Sequence, residues 1–372
     1  MLRRSPALLV VHLLCLIGLP LSAQQYSFRN WSVEDGLAQS QVYALLQDRR
    51  GLLWLGTRGG GLSCFDGQRF VNYSTLEGLK DQYILCLAEH GDGSIWIGSN
   101  SGLSRFDGRK MQVLPIEGHP NLPVMQLHFS VRYGLLAGTR DGLFRWNGKA
   151  LVPWIRSIAA LRGEIPAITE DARGNLWIAG AQALMRYDGQ HWMTIKAQAQ
   201  KPRAGITDLV ANAQGLWIAT YGEGLWQLKG DSLKPIALSM WIPDGIVQAL
   251  CSDAEGRIWL GTQTEGLLRY RPEDGSLQHF GERDGLSNNH IRSLYCDPWG
   301  NLWIGSSGAG FSRFSGESFQ HFNQRSGLPG RNVYALAEDT ASRIWRCRRL
   351  SEHQIESPVF RPLGAPVDGY RR

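Results

Sequence analysis

The chain has 372 residues, 43% of them hydrophobic and 19% charged, which suffices for a substantial core. Its formal charge of +6 is uneven, because Arg3 and Arg4 supply +2 and the tail after Trp345 supplies +3, leaving +1 between them. A nearly neutral body lacks the basic footprint of a nucleic-acid or anionic-membrane binder, so neither partner is expected.

The first 23 residues read as a secretory signal peptide. Arg3-Arg4 open it, Ala7 to Leu21 form an apolar core, and Leu21-Ser22-Ala23 places small residues ahead of Gln24. An uncleaved anchor fits less well, since the run is short and contains His12 and Pro20. Cys15 lacks the small residues that precede a lipoprotein cysteine. No later run is long enough to span a membrane as an apolar helix. The expectation is an exported, periplasmic, soluble chain.

Next comes Tyr26 to Trp31, which resembles a last strand without the strands that should precede it. The stretch Gln41 to Tyr73 then sets out a complete unit. Its first run ends at Gln47, Leu52 to Gly56 is the second, Leu62 to Phe65 the third and Phe70 to Tyr73 the fourth. Gly turns and Asp66-Gly67 separate them, and runs so short and interrupted read as strands. A four-stranded meander of about 40 residues has the size of one propeller blade.

The unit recurs. The Trp of its second strand stands at 54, 96, 177, 217, 259, 303 and 345, with Leu136 in the remaining place. Asp48, Asp171, Asp253, Asp297 and Asp339 lie six positions before it. After it come Thr57, Ser99, Thr139, Thr220, Thr262 and Ser306, each followed by a Gly-Leu or Gly-Phe. Strands such as Leu53-Trp54-Leu55 are apolar on both faces, as strands sandwiched between neighbouring blades should be. Helical repeats fail because no segment keeps a 3.6-residue apolar spacing, and a parallel β-helix would have shorter coils. The fold class is therefore all-β: a seven-bladed β-propeller over 24–325, an unfinished eighth repeat over 326–345, and an irregular basic tail over 346–372 that reads as truncated or frame-shifted. The strand at 26–31 is expected to close the ring against Phe311 to Phe314.

Cys64, Cys86, Cys251 and Cys296 fall in predicted strands without Cys-x-x-Cys spacing, so they read as small buried hydrophobes rather than ligands or bridges. The histidines are scattered and match no metal or nucleophile motif. No catalytic residue, metal site or cofactor is assigned.

The string Gly-Leu, Val-Tyr-Ala-Leu, Gln-Asp, Gly-x-Leu-Trp-Ile-Gly-Thr, Gly-Gly-Leu, Phe-Asp-Gly, seen over 35–67 and 284–316, resembles the two-component regulator propeller repeat. The resemblance implies a periplasmic sensor, commonly of two such propellers followed by a small β-domain, a membrane helix and a kinase or cyclase. It also implies an oligosaccharide or other small-molecule ligand. An exported propeller lyase or hydrolase and a protein-interaction ring remain alternatives, and the sequence leaves room for a homodimer. A ligand site is expected at one rim, at the residue following the second strand: Arg58, Asn100, Arg140, Tyr221 and Gln263, with Ser307 the least polar of the set.

Overall fold

The computed structural model describes residues 26–155, 158–180, 183–195, 202 and 204–316, together with the strands at 335–338, 344–347 and 361–362. Residues 1–23, expected from the sequence to be a signal peptide, lie outside the described residues, as does most of the unfinished eighth repeat. Seven four-stranded antiparallel sheets follow one another between Phe28 and Phe314. Apart from four single 3-10 turns, no helix occurs among the described residues. The protein is a seven-bladed β-propeller.

The innermost strands are Val42–Gln47, Ile84–Glu89, Val124–Ser130, Ala167–Glu170, Ile206–Asn212, Val247–Ser252 and Ile291–Cys296. These define blades one to seven. The seventh blade draws only three strands from its own repeat. Its fourth is the N-terminal strand Phe28–Trp31, antiparallel to Phe311–Phe314 with Phe28 opposite Phe314 and Trp31 opposite Phe311. Side chains reinforce this closure. Trp31 stacks on Phe311 at 5.0 Å and meets Phe65 of blade one at 5.3 Å, while Tyr26 meets Phe280 of blade six at 4.8 Å.

Each sequence landmark has a physical counterpart. The register Trp is buried between blades, and its indole Nε1 donates to the Asp six positions earlier: Trp54 to Asp48 at 3.0 Å, Trp177 to Asp171 at 2.9 Å, Trp259 to Asp253 at 2.8 Å and Trp303 to Asp297 at 3.1 Å. A buried indole N–H without an acceptor would cost stability, so the Asp satisfies the ring that fills the core. Burial opposes ionisation of Asp48, yet hydrogen bonds from Trp54 and Arg50 hold its carboxyl below the usual range.

The Thr or Ser that ends the second strand is equally tied. Thr57, Thr139, Thr220 and Thr262 each donate Oγ1 at 2.8 Å to the carbonyl of the Gly before the third strand or at its start. Ser99 and Ser306 do the same through Oγ at 2.9 Å. The Gly ahead of that Thr or Ser marks close approach between blades. A Cβ on Gly138 would fall 2.3 Å from the Ile165 carbonyl oxygen, and one on Gly56 would fall 2.5 Å from Ile84 Cγ2.

The inter-blade Gly-Leu loops are 3-10 turns. Gly36, Gly78 and Gly285 end them in the left-handed region, at φ between 100° and 109°, which side-chain-bearing residues seldom adopt. Leu37, Leu79 and Leu286 then plug the space below and are buried.

The cysteines correct one expectation. Cys64 and Cys86 are buried thiols, raised in pKa by burial, Cys64 to about 11. Cys251 and Cys296, by contrast, form a disulfide between the innermost strands of blades six and seven, with their Cα atoms 6.2 Å apart. Neighbouring innermost strands bring together residues 45 apart in sequence, and single-strand patterning carries no trace of that pairing. A second compact unit, 317–372, contains the short strands Ala335–Glu338, Ile344–Cys347 and Arg361–Pro362 in that order of pairing.

Candidate functional site

In six blades the residue after the second strand is anchored by one repeated backbone bond. Its N–H donates to the carbonyl just ahead of the innermost strand: Arg58 to Gln41, Asn100 to Tyr83, Arg140 to Pro123, Tyr221 to Gly205, Gln263 to Ile246 and Ser307 to His290, at 2.9–3.3 Å. These residues therefore occupy one ring at one rim. Arg58, Asn100, Arg140 and Tyr221 are exposed, whereas Gln263 and Ser307 are half-buried.

Their side chains do not form one constellation. Arg140 turns to Glu164, at 3.4 Å. Tyr221 stands 55% exposed, and the hydrogen bonds among the described residues show Asn100 held through its backbone. Arg58 and Gln263 instead reach inward, toward a second ring that the sequence reading missed.

That second ring is made by an irregularity in the innermost strand. In blades one, two, three, five, six and seven the pairing register shifts over the strand's second residue, as between Val42 and Ala44 or Ile291 and Ser293. The extra residue of such a bulge has no cross-strand partner and is re-aimed. Tyr43, Leu85, Met125, Thr207, Gln248 and Arg292 occupy this position and, with Pro166 in blade four, line a central cavity of about 560 Å³.

The polar members are connected. Arg58 Nη1 donates to the Tyr43 hydroxyl at 3.2 Å, and the Arg292 guanidinium lies 4.4 Å over the Tyr43 ring. Arg292 Nη1 donates to Gln248 Oε1 at 2.6 Å, and Gln248 Nε2 donates to Gln263 Oε1 at 3.0 Å. The chain Arg58–Tyr43–Arg292–Gln248–Gln263 thus runs from the rim into the channel and back. A sequence signal for it existed: Thr207, Gln248 and Arg292 interrupt runs where the other blades place apolar residues or Tyr43.

One channel residue is titratable and out of pattern. Asp208 stands where the other blades carry Ala44, Cys86, Gln126, Ala167, Ala249 and Ser293. Burial pushes its carboxyl up to about 6, although the N–H groups of Leu250 and Leu209 bond its two oxygens. The sign follows. Between its ordinary value of 3.8 and about 6 the unfolded chain releases this proton and the folded chain keeps it, so the Asp208 contribution to stability falls as pH rises. Carboxylates with lowered values, such as Asp48 and Asp171, act oppositely at lower pH. Asp208→Asn is therefore expected to gain stability relative to the parent on going from pH 4 to pH 7, read by denaturant unfolding at both. An unchanged difference would remove Asp208 from this role.

A shared register of Trp, Asp, Thr and Gly-Leu also identifies the repeats. Residues 36–59, 78–101, 242–264 and 285–308 match the family described as two-component regulator propeller. The chain carries two-component regulator propeller repeats. Among solved structures, these repeats superpose on the extracellular domain of a hybrid two-component system from B. thetaiotaomicron with a TM-score of 0.68 and 20% identity, over 90% of this chain and 46% of that one. The extracellular domain of a one-component system from the same organism gives 0.67 and 21%, over 91% and 47%. The chain thus spans about half the length of these extracellular domains. Virginiamycin B lyase from Staphylococcus aureus shares the fold at 13% identity and a TM-score of 0.63, over 77% of this chain and 98% of the lyase. A comparison with curated protein sequences finds no match.

Proposed function

We propose that this chain is the exported, ligand-sensing propeller of a two-component receptor, acting by binding in the periplasm rather than by catalysis. The reading rests chiefly on one observation. The same backbone bond fixes the residue after the second strand in six blades, while its side chain changes from Arg to Asn, Tyr, Gln and Ser. A rigid repeated scaffold with a differentiated rim is how a propeller builds a site for a small ligand. The regulator-propeller repeats support the sensor role, and the Cys251–Cys296 disulfide suits an oxidising compartment. The ligand class in this reading is an oligosaccharide or another small polar molecule, whose hydroxyls the rim side chains can bond.

The test is a triple substitution, Arg58→Ala with Arg140→Ala and Tyr221→Ala. All three side chains are exposed, so the thermal midpoint should stay within about a few degrees of the parent. Binding of a ligand found by screening glycans should be lost in calorimetry. A triple variant that binds the ligand normally would move the site away from this rim.

A further inference from the structure

We propose that the channel mouth is an anion site that takes the carboxylate of a small acidic ligand, such as a uronic acid, against Arg292 and Arg58. The inference rests on the sensor reading above and names the ligand class. Two guanidinium groups converge on one phenol: Arg292 at 4.4 Å and Arg58 at 5.8 Å from the Tyr43 ring centroid. Among the described residues neither has a carboxylate within ion-pair distance, whereas Arg49, Arg140 and Arg257 are paired with Glu89, Glu164 and Asp253. Two like charges sharing one aromatic partner repel each other, and an anion between them relieves the repulsion.

The surroundings favour an anion with an apolar edge. Going round the ring, Thr207, Gln248, Arg292 and Tyr43 form a polar arc over four consecutive blades, and Leu85, Met125 and Pro166 complete it as an apolar arc. A sugar acid presents that same division, with a carboxylate on one side and ring C–H groups on the other. The cavity of about 560 Å³ is within the range of small-ligand sites. Asp208, the acidic residue lining the cavity, has both oxygens bonded by backbone N–H groups. Gln248 bonds Arg292 on one side and Gln263 on the other, which fixes the guanidinium plane for two-pronged recognition.

The experiment titrates the full chain by calorimetry with D-glucuronate and D-galacturonate, with the neutral sugars D-glucose and D-galactose, and with acetate. At least one uronate is expected to bind, more weakly at high salt, and its neutral counterpart is not. Acetate binding as tightly as the uronate would assign the site to the carboxylate alone and overturn the sugar-acid class. Arg292→Gln should weaken the uronate by about 30-fold or more, and Arg58→Gln by less because that side chain is more exposed. Should Arg292→Gln lower the thermal midpoint, Arg292→Lys keeps the charge without the planar fork and should still lose affinity. A neutral sugar binding as tightly as its acid, an unaffected Arg292→Gln, or no response to any carboxylate would overturn the proposal. A neutral oligosaccharide that binds and is lost in the rim triple variant would overturn the anion site alone and leave the sensor reading standing.

Discussion

Trp303→Ala is expected to lower unfolding free energy by about 3–5 kcal/mol, the range for large aromatic truncations in cores. Trp303 is 6% exposed and shares a cluster with Trp31, Leu37, Val42, Leu53, Leu55, Phe65 and Phe311, which joins blades seven and one. Removing it leaves a cavity there, frees the Asp297 carboxylate of its indole bond, and takes the ring from beneath the Arg313 guanidinium, 5.7 Å away. Trp299 is the control. It lies four residues upstream, is 68% exposed, and is held in its turn by a backbone bond to Asp297 that alanine keeps. Trp299→Ala should stay within about 0.5 kcal/mol of the parent. Denaturant midpoints for the two variants are the measurement. Equal losses would show that the Trp register does not mark the inter-blade core.

A larger effect is expected from deleting residues 26–31. The deletion strips Phe311–Phe314 of its ladder partner and turns it into an edge. It also removes Tyr26, Phe28 and Trp31 from contacts with Phe280, Phe314, Phe311 and Phe65 in three adjacent blades. No single substitution touches three blades in this way. The truncated chain should lose its cooperative thermal transition or melt below Trp303→Ala. A midpoint close to the parent would mean that the ring stays closed without its N-terminal strand.

Much of this architecture was legible in the residues because propeller blades repeat their physics. The Trp, the Asp that accepts its N–H, the hydroxyl that closes the next turn and the Gly-Leu plug each solve a local problem, and each recurs at a fixed offset. What escaped was set by how strands pair, within a blade and between neighbouring ones. Arg105, Arg186, Arg269 and Arg313 lie 5.4–5.9 Å over Trp96, Trp177, Trp259 and Trp303. That pairing follows from the register of the second and third strands, which the sequence does not print. Tyr43, Gln248 and Arg292 were missed because a one-residue bulge decides that they line the channel, and a polar residue interrupting an apolar run does not by itself say where it points. The Cys251–Cys296 bridge depends on which strands become neighbours around the ring. The rim position was singled out because a Thr or Ser precedes it in six blades, but nothing local says which rim side chains reach inward.

The closing strand also fixes the order in which the molecule can be finished. Phe28–Trp31 is made first, yet its partner Phe311–Phe314 is made last, with every other blade between them. Six blades can each zip up from sequential hairpins as the chain emerges, since their contacts are local. The seventh has to wait, and until the chain is complete both the first strand and the last hairpin carry unpaired hydrogen-bonding edges with large aromatic rings beside them. Ring closure is therefore the long-range event of folding and is expected to be its slow one, and the interval before it is when misassociation between chains would be most costly. A chaperone that shields an aromatic N-terminal segment would act during that interval.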